Sequence, residues 1–90
     1  MPERSDEYYV GRLIERIRLL IATSDDIPVD TKLQTQPMLK QLEATLGVPP
    51  AEQDQERARS EYAFLYRELE EYADLEALLH ALKNFVPYLK

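Results

Sequence analysis

The stretch that decides the fold is residues 51–86, AEQDQERARSEYAFLYRELEEYADLEALLHALKNFV. It follows Pro49 and Pro50, stops before Pro87, and contains neither Gly nor Pro. Apolar side chains recur at Ala58, Tyr62, Leu65, Leu69, Tyr72, Leu75, Leu79, Leu82 and Val86. Steps of three and four residues place all of them on one stripe of an α-helix. The spacing predicts a single unbroken helix of about 36 residues, roughly 54 Å long. Two consecutive steps of three, at Leu69–Tyr72–Leu75, mark the one place where it would break, with Asp74 capping the second half.

Upstream of this stretch the chain offers two shorter helices to cover it. The first is expected to start with Ser5 or Asp6 as N-cap, with Asp6 and Glu7 near the positive end of its dipole, and to run to about Ala22. Val10, Leu13, Ile14, Ile17, Leu20 and Ile21 share its core-facing side. Tyr8 and Leu19 fall nearly opposite, among Arg12 and Glu15, and form a candidate partner surface. Gly11 costs this helix about 1 kcal/mol relative to Ala, which close approach of another helix would explain.

Residues 23–35 read as a long connection. Ser24, Asp25 and Asp26 supply turn chemistry, Pro28 blocks helix, and Ile27, Val29 and Leu33 pin the loop to the core. A second helix is expected from Thr35 or Gln36, with Pro37 in its first turn. Its apolar positions are Met38, Leu39, Leu42 and Leu46, and it ends at Gly47 in the C′ position with Val48 as the capping contact. Ninety residues make one domain spanning 1–90. The expected fold is therefore all-α: a small three-helix bundle, or four helices if 51–86 breaks, with a long C-terminal helix. Two short helices leave part of a 54 Å stripe uncovered, so a homodimer through the third helix is expected.

Composition narrows the functional classes. There are no cysteines, which removes disulfides, zinc–thiolate sites and thiol nucleophiles and is compatible with a cytoplasmic protein. Residues 1–5 carry no apolar core of a signal peptide. The longest apolar run is residues 19–22, so no membrane span is expected. Net charge is −6, and residues 51–76 account for it, with nine acids against three arginines. Such a surface repels phosphate, arguing against direct nucleic-acid binding.

Candidate chemistry is sparse. His80 is the sole histidine, and Ser60, twenty residues away on the same predicted helix, lies about 30 Å from it. No Glu-x-x-His motif is present for a carboxylate-bridged metal pair. Gly11 and Gly47 cannot build a phosphate loop. Asp25, Asp26 and Asp30 lack the spacing, the mid-loop Gly and the closing Glu of a calcium loop. A helix–turn–helix reading of residues 39–56 would aim Glu52, Asp54 and Glu56 at phosphates, the wrong sign. No catalytic residue, cofactor or metal ligand is assigned.

Six of the eight aromatics are Tyr, which suits semi-buried rims and interfaces alike. The expected function is a non-catalytic protein–protein interaction module: a regulator, adaptor or accessory subunit. It would dock through the apolar and Tyr stripe of the C-terminal helix, or through the Tyr8 and Leu19 side of the first. The candidate interaction residues are Tyr8, Leu19, Tyr62, Tyr66, Leu69 and Tyr72. The alternative is an acidic mimic of nucleic acid that inhibits a nucleic-acid-binding protein, followed by a divergent helix–turn–helix regulator.

Overall fold

A computed structural model describes residues 6–89. The N-terminal segment 1–5, with the cap expected at Ser5, lies outside the described residues. Four α-helices follow one another: α1 Asp6–Thr23, α2 Val29–Leu46, α3 Gln55–Leu69 and α4 Ala73–Phe85. Two 3-10 turns, Pro50–Glu52 and Pro87–Leu89, complete the described chain, which has no strand. The fold is the expected all-α bundle.

The first helix follows its sequence pattern. Val10, Ile14, Ile17 and Ile21 are buried, and Leu13 and Leu20 flank them against the core. It ends at Thr23, whose hydroxyl donates to the Leu19 carbonyl at 2.8 Å, while the Ser24 N–H donates to Leu20 O at 2.9 Å. Gly11 is exposed, and a Cβ there would meet nothing within 4 Å, so no helix of the same chain approaches it.

The second helix begins at Val29 rather than at Thr35. Pro28 does not block it; it starts it. Pro28 sits at the N-cap with φ −59° and ψ 149°, where a missing N–H costs nothing, and its carbonyl accepts the Lys32 N–H at 3.0 Å. The connection shrinks to residues 24–28, closed by the Asp26 N–H donating to Ser24 Oγ at 3.2 Å. Of the three residues expected to pin it, only Ile27 is buried; Val29 and Leu33 are 69% and 68% exposed on the outer face of α2. Pro37 consequently falls inside the helix and deprives the Leu33 carbonyl of its i+4 donor. Just before it, the buried Thr35 hydroxyl donates to the Thr31 carbonyl at 2.7 Å, a contact that bends helices. Gly47 caps the end in right-handed geometry (φ −79°, ψ −5°), and Val48 stays 39% exposed, so the expected Val48 capping contact is not the device used here.

The C-terminal stretch is not one helix. Residues 51–54 belong to the linker, and α3 starts at Gln55, capped by the Asp54 carboxylate accepting the Arg57 N–H at 3.1 Å. The chain breaks at residues 70–72, without Gly or Pro, and Tyr72 rather than Asp74 is the N-cap of α4. The physical reason is coverage. A 54 Å helix would exceed the longest dimension of the molecule, 38 Å, and outrun both upstream helices. Folding back buries Ala58, Tyr62, Leu65 and Leu69 on α3 together with Leu75, Leu79 and Leu82 on α4. It also places Asp74 and Glu76 in the first turn of α4, where the dipole favours them. Backbone bonds are kept through the turn: Glu70 N–H to Tyr66 O at 2.8 Å, Tyr72 N–H to Leu69 O at 3.0 Å and Glu76 N–H to Tyr72 O at 2.8 Å.

The helices pack mainly as two pairs, α1 on α4 and α2 on α3. At one end Gln53 ties three segments together. Its amide donates to Leu46 O at 3.1 Å and Val48 O at 3.0 Å, and its carbonyl oxygen accepts from the Tyr88 hydroxyl. Between α2 and α3 lies a buried carboxylate, Glu61, 5% exposed. Arg57 Nε donates to its Oε2 at 3.3 Å, and the Thr45 hydroxyl lies 2.7 Å from its Oε1.

Tyr62 joins α3 to α4: its hydroxyl donates to the Leu79 carbonyl at 2.7 Å in a buried setting. Burial, then the nearby Tyr66 and Glu76, push its ionisation well above the ordinary tyrosine value of 10.0. The sign follows from linkage. Above pH 10 the unfolded chain releases this proton and the folded chain keeps it, so stability falls as pH rises. Tyr62→Phe should cost about 1 kcal/mol at pH 7 and flatten the loss above pH 10, as measured by urea unfolding across pH.

Candidate interaction surface

The structure separates the six sequence-selected residues into two groups. Tyr62 and Leu69 are 4% and 0% exposed, covered by their own chain. The stripe of 51–86 is therefore core, and the expected homodimer through a long third helix loses the surface it needed. Tyr66 and Tyr72 are half-buried at the rim. Tyr66 stacks on Tyr62 with ring centroids 6.1 Å apart, burial and then the neighbouring Glu76 and Glu70 raise its ionisation, and Lys83 Nζ lies 5.7 Å from its ring centroid. These contacts bridge α3 and α4 and define a bundle edge.

Tyr8 and Leu19 are 40% and 55% exposed on the outer side of α1. Around them the structure adds residues that a helical wheel could not place. Tyr9, 42% exposed, stacks on Phe85 of α4 with centroids 5.4 Å apart and planes at 17°, and meets Tyr8 edge-on at 5.4 Å. Tyr9, Leu13, Leu19 and Phe85, with Arg12 and Arg16, line a groove of about 350 Å³ between α1 and α4. Leu13 and Phe85 form its half-buried floor, and both arginines stand exposed beside it. The sequence signal for the Tyr9–Phe85 pair was absent, because the two residues meet only through the packing of the first helix on the last.

The opposite character appears where the α1–α2 and α3–α4 connections meet. Tyr72 lies half-buried in a depression lined also by Asp26, Glu71 and Asp74. Burial, then Glu71 and Asp26, raise the ionisation of Tyr72. Acids from two separate loops thus share one pole of the molecule.

The remaining candidate chemistry finds no centre. Ser60 and His80 lie on different helices, both exposed, so the distance imposed by a continuous helix no longer applies. Among the described residues no group of three or more His, Asp or Glu side chains is placed to hold a metal ion. The connection from α2 to α3 spans residues 47–54 and contains a 3-10 turn, longer than the three- to four-residue turn of a helix–turn–helix. No helix of the described residues is long and apolar enough to cross a membrane. No family model, curated protein or solved structure matches the chain.

Proposed function

We propose that this chain is a non-catalytic protein-interaction module, working in the cytoplasm as a regulator, adaptor or accessory subunit, and that it docks through the outer face of α1. The observation carrying this is the conjunction of Tyr8, Tyr9 and Leu19, all substantially exposed, with an apolar-floored groove flanked by Arg12 and Arg16. Exposed aromatics beside arginine form the composition that protein interfaces favour. Tyr66 and Tyr72 serve the bundle rim here, and Tyr62 and Leu69 serve the core.

The test is site-specific photocross-linking in host cells. A photoreactive phenylalanine analogue at Leu19 should give a discrete adduct with a protein chain, and the same analogue at the exposed Ala63 of α3 should not. Equal adduct patterns at both positions, or none at 19, would count against the α1 face.

A second reading, acidic mimicry of nucleic acid, gains one specific support. Asp26 joins Glu71 and Asp74 around Tyr72, so acids beyond residues 51–76 contribute to one pole. If mimicry operates, adducts should form from a photoreactive group at Glu71 and should be competed by added DNA or RNA.

A further inference from the structure

We propose that the occupant of the α1 face is a second copy of this chain, with the two α1 helices antiparallel across a twofold axis at the level between Leu13 and Ile14. This rests on the docking role assigned above to that face, and it names the partner. Tyr8, Arg12, Glu15 and Leu19 succeed one another at steps of four, three and four, the alternation of a coiled-coil seam, on the side of α1 away from the buried Ile17. Read in the antiparallel direction the seam is its own complement. Tyr8 meets the partner's Leu19, and Arg12 meets the partner's Glu15; the twofold repeats both contacts. Apolar pairs close the two ends and ion pairs fill the middle. A two-fold interface requires this kind of self-complementarity.

Three features of the single chain prepare the seam. Arg12 is exposed and makes no ion pair among the described residues. Arg18 holds Glu15 through Oε2, which leaves Oε1 for a second guanidinium. Gly11, at the seam's edge, offers open space for close approach. The same geometry excludes a parallel pair, in which Arg12 would face Arg12 and Glu15 would face Glu15. From residue 8 to residue 19 the seam is only about 17 Å long, so the dimer belongs with small, weak interfaces.

The experiment is sedimentation velocity of the full chain over a concentration series up to about 1 mM, a range suited to small interfaces. Wild type should pass from monomer to dimer. Arg12→Glu and Glu15→Arg should each weaken self-association by about tenfold or more, because each opposes like charges across the axis. An equimolar mixture of the two variants should recover a heterodimer. In that pairing the introduced carboxylate of one chain faces the introduced guanidinium of the other, and the native Glu15 of the first faces the native Arg12 of the second. Circular dichroism checks that each variant keeps its helicity. A wild type that stays monomeric throughout, or a mixture that fails to recover association, overturns the self-pairing. If the Leu19 photocross-link then captures a different protein, the docking surface stands and only the identity of its partner falls; if no adduct of either kind forms, both fall.

Discussion

Leu69→Glu should abolish folding at 25 °C, whereas Leu19→Glu should leave stability within about 0.5 kcal/mol of wild type. The two residues carry the same side chain and were both candidates for a partner surface. Leu69 is fully buried at the end of α3, and Leu19 is 55% exposed on α1. Replacing a buried leucine removes its apolar burial and its packing, about 2–5 kcal/mol. Placing a carboxylate there without a partner adds several kcal/mol more, as desolvation or as forced protonation. Together these approach the roughly 5–13 kcal/mol that holds a ninety-residue domain together. Circular dichroism and urea titration read the outcome. If Leu69→Glu instead gave a stable folded monomer, Leu69 would be a surface residue released from an interface.

Pro37→Ala should stabilise the protein by about 1–3 kcal/mol, the range between the interior cost of proline and its entropic benefit in the unfolded chain. The substitution restores the N–H that the Leu33 carbonyl lacks, at a position where Pro37 is exposed. It leaves the core residues Leu39, Leu42 and Leu46 in place. Chemical unfolding of the variant checks the sign. A loss of stability would mean that α2 depends on the backbone geometry that Pro37 imposes, and that the change dislodges Leu39 or Leu42 from the core.

Most of the core was legible from periodicity. Of the nine stripe positions in 51–86 only Tyr72 escapes full burial, and the buried isoleucines of α1 are those the helical wheel selects. Periodicity reports which side chains face inward, however, not which part of the same chain they face. The stripe passes the turn at 70–72 with little disturbance because Leu69 and Leu75 are core on both sides of it. No Gly or Pro announces the turn, so only the two consecutive steps of three at Leu69–Tyr72–Leu75 and the length mismatch between the segments argued for it. Pro28 misled for a related reason: a proline is equally compatible with the residue after a loop and the residue that starts a helix.

The proposed docking face was legible in part. Opposition to the core stripe identified Tyr8 and Leu19, a property of one helix alone. Tyr9, Leu13 and Phe85 complete the groove through the pairing of α1 with α4, which local pattern cannot encode. Glu61 had been one acid among nine, and little local separates it from Glu68, one heptad on along the same flank of the stripe. Its burial against Thr45 depends on where α2 crosses α3.

The central claim is that residues 51–86 turn back upon themselves and are covered by their own chain, which leaves α1 to meet a partner. The absence of cysteine makes a direct distance measurement simple. Spin labels attached after Glu56→Cys and Asn84→Cys would sit at exposed positions on α3 and α4. Double electron–electron resonance on labelled chain diluted with unlabelled chain should give a narrow distribution near 20 Å, about two helix diameters. A continuous helix would hold the same labels about 42 Å apart, and that distance would contradict the account.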